Sequence, residues 1–190
     1  MIISLVGNNS FALRQRLDEL VGTFIKDHGE LAVQRIDAQD SEPQTIIDAV
    51  QNVDLLSPRK MVVVRGLGSH AQALETLEQI IGSITDSTDL VLYEPITDKR
   101  NVYYKNLKLK TQLEEFSDLD TKALAGWLAE QAKAQGGQLS LADANYLIER
   151  VGTNQAMLKN ELDKLILYDI SVLRKTIDKL VEPTPQSKIF

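Results

Sequence analysis

Residues 2–14 read IISLVGNNSFALR: a β-rich run from Ile2 to Val6, a glycine at position 7, then two asparagines and a serine ahead of a helical pattern. Leu13, Leu17, Leu20, Val21 and Phe24 recur at helical spacing after this junction, with Asn9 or Ser10 as the N-cap. A strand, a glycine and a capped helix is how a phosphate-binding α/β domain begins, and the turn between them decides which kind of domain follows. A phosphate cradle needs G-x-x-x-x-G-K-[ST], in which the second glycine lets the backbone approach and the lysine meets the charge. Gly7-Asn8-Asn9-Ser10-Phe11-Ala12-Leu13-Arg14 has neither. The junction therefore predicts the layered fold without the phosphate chemistry.

Moving outward, strands are expected around Ala32–Ile36, Met61–Val64, Asp89–Tyr93 and Gln112–Phe116, and helices over about Pro43–Asn52 and His70–Ile81. Met61–Val64 is a continuous apolar run, as in a strand covered on both faces, and DLVLY at 89–93 reads as another buried strand. Strands separated by helices predict a mostly parallel sheet flanked by helices. From Leu119 the period becomes helical throughout. Leu124, Trp127, Leu128 and Ala132 form one stripe, ended by Gly136 and Gly137, and Ser140 opens a capping box with Asp143 that runs to Gly152. A helix over about 154–168 carries Leu158, Leu162, Leu165 and Ile166, and Ser171 is the expected cap of a last one. The expected organisation is an α/β domain over 1–118, a small helical bundle over 119–181, and a linker or tail over 182–190.

Composition narrows the functions. Hydrophobic residues make up 43% of the 190 and charged residues 25%, enough to close a core without staples. Lys and Arg number 21 against 27 Asp and Glu, a net charge of -6, which opposes broad attachment to nucleic acid or anionic membrane. Residues 1–118 hold 12 basic and 18 acidic side chains and the remainder 9 of each, so the excess acid belongs to the first part. The absence of cysteine excludes disulfides, thiol catalysis and thiolate metal sites. His28 and His70 stand apart with no H-E-x-x-H, so no metal or cofactor is expected. The opening MIISLVGNNS has no basic leader and no stretch reaches the roughly 18 apolar residues of a membrane span, so the expectation is a cytoplasmic protein with no membrane partner.

Catalytic constellations fail in turn. The strand Met61–Val64 runs into Arg65-Gly66-Leu67-Gly68, with no carboxylate for magnesium or water. Glu114 and Glu115 are adjacent on a strand and point to opposite faces, so they do not form an acid/base pair. Two segments remain open. In TDKRNVYYKNLKLK (97–110), Lys99, Arg100, Lys105 and Lys108, interleaved with Tyr103 and Tyr104, suit phosphates and bases, or else a solvated helix with its tyrosines against the sheet. In VDLLSPRK (53–60), Leu55 and Leu56 sit where Pro58 turns the chain from helix to strand, and either cap the core or anchor a partner.

Together LVGNNSFALRQ, DLLSPRKMVVVRG, LVLYEPITDKRNVYYKNLK and VGTNQAMLKNELDKLILY resemble, in order and spacing, the delta subunit of bacterial DNA polymerase III, the clamp-opening member of the clamp loader. Gly152, Leu158, Asn160, Glu161, Leu162, Lys164 and Leu165 match its G…L…NEL-x-KL pattern. The resemblance implies an AAA+-like α/β domain and a helical lid, without nucleotide binding or ATPase activity. It implies that Leu55 and Leu56 insert into a pocket of the sliding clamp (the beta subunit) and help open it, although relatives commonly carry an aromatic where Leu56 stands. It also implies primed DNA as a partner of the assembly, and other loader subunits joined through a C-terminal collar domain. The chain stops at Phe190, where that collar is expected to begin, as a fragment or a short member would. The competing expectations are a degenerate AAA+ scaffold or DNA-binding module using 97–110 without a clamp, and a nucleotide enzyme with an unusual phosphate loop.

Overall fold

The computed structural model describes residues 1–52, 58–95 and 98–183. Contacts divide the chain into two compact units, Met1–Asp118 and Leu119–Phe190.

In the first unit, β1 (Ile2–Gly7), β2 (Val33–Asp37), β3 (Lys60–Arg65), β4 (Thr88–Glu94) and β5 (Gln112–Phe116) form one parallel sheet in the order β2-β3-β4-β1-β5. The apolar runs take the central places: β1, β3 and β4 are buried along most of their length, while β2 and β5, the edges, are half exposed. Alternation sends Ile3, Leu5, Met61, Val63 and Val91 to one face, where α1 (Ser10–His28) covers them with Leu13, Val21 and Phe24. Val6, Val62, Val64, Leu90 and Leu92 face the other way, under α2 (Pro43–Gln51), α3 (Ala73–Ser83) and α4 (Val102–Lys110). The strand order explains this division. Steps from β2 to β3 to β4 and on to β5 travel one way across the sheet and the step from β1 to β2 travels back, so crossovers of one hand put α1 alone on its face. Glu114 and Glu115 do diverge: the first bonds Arg16 of α1 (2.8 and 3.0 Å), the second bonds Tyr104 of α4 (2.9 Å).

The second unit packs α5 (Thr121–Ala134), α6 (Leu141–Val151), α7 (Gln155–Tyr168) and α8 (Arg174–Leu180) around Leu124, Leu128, Leu147, Leu158, Leu162 and Leu165, with Trp127 partly buried against them. Asp120, Ser140 and Asn154 cap the first three helices by accepting from the amides of Ala123, Asp143 and Met157. Two expectations need correction. Residues 138–139 and 171–172 are short strands, β6 (Gln138–Leu139) and β7 (Ser171–Val172), paired in parallel. Ser171 consequently does not cap α8, which begins after Leu173 with no side-chain cap. The carboxylate of Asp169 accepts from the Ser171 amide and the chain there is extended. No helix among the described residues is long and apolar enough to cross a membrane.

Candidate functional site

In an open parallel sheet, ligands collect beyond the carboxyl ends of strands whose connections leave for opposite faces. Here those strands are β1 and β4, neighbours in the sheet, with α1 and α4 on opposite faces. A cleft of about 490 Å³ lies at this place, between the β1–α1 turn, Pro95 after β4, and the end of β5.

The turn is built to close on protein. Gly7 sits at φ 135°, and a Cβ there would stand 1.9 Å from the carbonyl oxygen of Phe116, so β1 and β5 approach at a distance only glycine allows. Asn9 then caps α1 with Oδ1 on the Ala12 amide (3.0 Å), donates Nδ2 to the Ser117 carbonyl (3.2 Å), and donates its backbone N–H to the Phe116 carbonyl (3.2 Å). Asn8 donates to the Asp118 carboxylate (2.6 Å) and accepts from the Asp118 amide (3.2 Å). Two amides of this turn, those of Asn9 and Ala12, are thereby tied to the end of β5 and to the cap, where a nucleotide-binding turn would offer such amides to phosphate. Among the described residues the cleft wall carries Glu115 and Asp118 against one cation, Lys99, which pairs with Glu115. Lys99, and then Tyr104, hold the Glu115 carboxyl below the usual carboxylate range. A polyphosphate entering here meets net negative charge.

Glu94 ends β4 and is 1% exposed. Its Oε1 accepts from the Tyr103 hydroxyl (2.7 Å) and the Gly68 amide (3.0 Å), joining β4, α4 and the turn after β3. Burial pushes the carboxyl up to about 7, against the opposing pull of these two hydrogen bonds. Gly68 is required where it stands, because a Cβ would come within 2.8 Å of the Tyr103 ring. Glu94 does not line the cleft, so the geometry makes it a brace. The test for an acid at the end of a buried strand, applied to β3 alone, passes it by, and the same test on DLVLYE finds it.

The basic stretch is partly neutralised by its neighbours. Lys99 pairs with Glu115 and Arg100 with Asp98 (3.2 Å). Tyr103 and Tyr104 are buried, with their hydroxyls on Glu94 and Glu115, so neither ring is free to stack on a base. Lys105 and Lys108 are exposed and make no ion pair among the described residues. Leu55 and Leu56 lie outside the described residues, whereas both flanks of their segment lie within them. On one side α2 ends at Gln51, and the Asn52 amide donates to the Asp48 carbonyl (2.9 Å). On the other, Arg59 bonds both carboxylate oxygens of buried Asp89 (3.0 Å each), and Lys60 turns its ammonium back onto the end of α2.

Comparison with known proteins agrees with this geometry. The family model described as DNA polymerase III, delta subunit, matches residues 4–116, more than half of the chain. Among solved structures, the DNA clamp loader delta protein of Bacillus subtilis superposes with a TM-score of 0.74 at 17% identity, over 98% of this chain and 59% of that one. The RuvB Holliday junction branch migration motor of Thermotoga maritima gives 0.56 at 10% identity, over 94% of this chain and 60% of that one. The chain thus spans about three fifths of the length of these relatives, and at such identities they share its fold. No curated protein sequence matches. A five-stranded parallel sheet flanked by helices, its β1–α1 turn bonded to the end of β5, and a family match across that sheet place the chain in one group: it belongs to the DNA polymerase III delta subunit family.

Proposed function

We propose that the chain serves in DNA replication as a clamp-loader subunit that binds and opens the ring-shaped sliding clamp and does not itself hydrolyse ATP. The observation that carries this is the family match over residues 4–116, which includes the α2–β3 junction with Leu55 and Leu56. The similar Bacillus subtilis protein is a clamp loader delta protein, which supports the same role. Two large apolar side chains beside a proline, between a helix terminus and a strand, suit a hot-spot anchor that fills a pocket on the clamp. The lack of ATP hydrolysis is supported by the β1–α1 turn, where Asn8 and Asn9 bond the end of β5, and by the acidic wall of the cleft. Primed DNA and the other loader subunits are partners of the assembly, and the place of action is the cytoplasm. The unit built from α5 to α8 takes the part of the helical lid.

The test is a calorimetric titration of the purified chain with the sliding clamp of the same source and with Mg-ATP. Saturable clamp binding is expected, with ATP binding weaker than about 100 μM, roughly -5.5 kcal/mol. Phosphate release from ATP by the purified chain refutes the non-hydrolysing role, ATP binding tighter than that refutes the reading of the β1–α1 turn as closed to phosphate, and no clamp binding at about 100 μM refutes the clamp contact.

One observation favours a second reading. Lys105 and Lys108 are exposed on α4 without an ion pair among the described residues, as a short phosphate-contacting surface requires. A DNA-binding module without a clamp contact would bind primed DNA with a salt dependence that the double substitution Lys105→Glu, Lys108→Glu abolishes. The clamp reading leaves clamp affinity unchanged in that variant.

A further inference from the structure

Among the described residues ten large apolar side chains are exposed, and four of them, Leu167, Tyr168, Ile170 and Leu173, fall within seven residues at the junction of α7 and α8. Scattered singly, such residues are normal on a surface, whereas gathered at one place they mark a contact. The helical period accounts for the first: α7 buries Leu158, Leu162, Leu165 and Ile166, which turns Leu167 away from the core at 89% exposure. The backbone that follows is fixed. The Gln138 amide donates to the Ile170 carbonyl (2.7 Å), Asp169 accepts from the Ser171 amide (2.9 Å), and Val172 is buried where it pairs with Leu139. The apolar side chains therefore stand on an ordered frame, which lowers the entropy lost when a partner covers them.

Cations border this surface. α8 carries Arg174, Lys175 and Lys179 against one acid, Asp178, which is engaged by Arg150 (3.0 Å) and the Tyr146 hydroxyl (2.5 Å). Two of the cations rest on rings. The Arg174 guanidinium lies 3.9 Å from the centre of the Tyr146 ring, and the Lys179 ammonium lies 4.8 Å from that of Tyr168 and donates to its hydroxyl (2.6 Å). Neither these two nor Lys175 makes an ion pair among the described residues. A ring orients a cation without neutralising it, so the charges remain available to a carboxylate. Nucleic acid would use such a surface poorly. Arg174 and Lys179 already occupy a face of each tyrosine, and Leu167, Ile170 and Leu173 offer nothing to phosphate.

We propose that the α7–α8 junction is a docking surface for a partner protein, from which it takes an acidic amphipathic segment. Large apolar side chains of that segment lie against Leu167, Ile170 and Leu173, and its carboxylates face Arg174, Lys175 and Lys179. Charge complementarity selects this occupant, because a basic or neutral apolar segment would leave three cations facing a newly dried surface. The contact is confined to the helical unit and does not depend on the clamp reading.

The probe is a library of random peptides displayed on phage and selected on the purified chain, with the selected peptides then synthesised and titrated by fluorescence anisotropy. Expected ligands combine Asp or Glu with Leu, Ile or Phe, bind at about 10 μM or tighter, and weaken as salt rises. Leu167→Gln and Lys175→Glu are each expected to weaken them about tenfold, and Lys175→Arg to leave them within about threefold of the parent. Both positions are exposed, so urea unfolding followed by Trp127 fluorescence is expected to match the parent in each variant. Should Leu167→Gln prove unstable, Ile170→Gln takes its place, since Ile170 is 63% exposed. No selected peptide binding at about 100 μM, ligands without acidic residues, or affinities that both substitutions leave unchanged overturn the proposal. So does a different occupant. Oligothymidylate binding lost in Lys175→Glu alone would assign the surface to nucleic acid, phosphatidylglycerol vesicle binding lost in both variants would assign it to a membrane, and dimers of the parent that Leu167→Gln dissociates would assign it to a second copy.

Discussion

Replacing Glu94 with Gln separates the carboxyl's charge from its hydrogen bonds. The amide oxygen can still accept from the Tyr103 hydroxyl and the Gly68 amide, so the brace between β4, α4 and the β3–α3 turn keeps its geometry. What changes is the proton. The ordinary value for this side chain is 4.5, and burial raises it to about 7 in the folded chain. Between those limits the folded state holds a proton that the unfolded state has released, so stability falls as pH rises. It is fully present below about 4.5, declines across the interval, and is flat above about 7. At 1.36 kcal/mol per pH unit the wild-type chain loses about 3 kcal/mol over that window. The glutamine variant lacks the slope, but its NH2 enters a buried site beside Gly68, at a cost of about 1 kcal/mol if left unpaired. Glu94→Gln is therefore expected to match or fall slightly below the parent at pH 5 and to exceed it by about 2 kcal/mol at pH 8. Surface carboxyls held low by cations, such as Glu115 by Lys99 and Asp98 by Arg100, respond to pH in the opposite sense. They are present in both chains and cancel in the difference. The assay is urea denaturation read by pulsed hydrogen exchange on peptides from β1 and β4, because the single tryptophan, Trp127, reports on the other unit. A stability difference that stays flat from pH 5 to 8 within about 0.5 kcal/mol, or a variant less stable than the parent at pH 8, refutes the reasoning.

The other expectations concern separate parts of the molecule. Leu162→Ala removes a fully buried side chain from the helical unit and should cost about 2–5 kcal/mol by Trp127 fluorescence in urea, while a loss under about 0.5 kcal/mol would place Leu162 outside the core. Gly7→Ala forces a Cβ into the Phe116 carbonyl at a positive φ and should destabilise the α/β unit by about 2 kcal/mol or more; an unchanged melting temperature would show that β1 and β5 can separate there without loss. Truncating Leu55 and Leu56 together to Ala should remove about 3–5 kcal/mol of clamp binding, two to three and a half decades in Kd, with the melting temperature unchanged. A lower melting temperature with normal clamp affinity would assign the pair to the core.

The layered fold was readable because its signals are local. Met61–Val64 and Leu90–Tyr93 are apolar without alternation, as a short strand covered on both sides is, and both lie in central strands of the sheet. The order of the strands was not readable, since it depends on which way each crossover travels and no string of residues records that. β6 and β7 escaped notice because two residues carry no period, and Ser171, a good cap by type, is drawn into the strand pairing instead.

The site residues divide along a related line. Motif reading looks for side chains that would meet other side chains or a ligand, and by that standard the chain is nearly empty. What the structure uses are polar side chains directed at backbone: Asn9 onto Ser117, Glu94 onto Gly68, Lys60 onto Ala49 and Asn52, and in the other unit Arg150 onto Val181 and Lys164 onto Leu180 at the end of α8. Each partner is a peptide group, and every residue has one, so the sequence offers no complementary letter to search for. The same kind of bond runs through the turn between β1 and α1. The first turn of α1 needs acceptors for its amides whether or not phosphate is present. Asn9 supplies one from within the chain, while its own Nδ2 and backbone N–H go to the carbonyls that end β5. A turn bonded in this way is held by the protein itself.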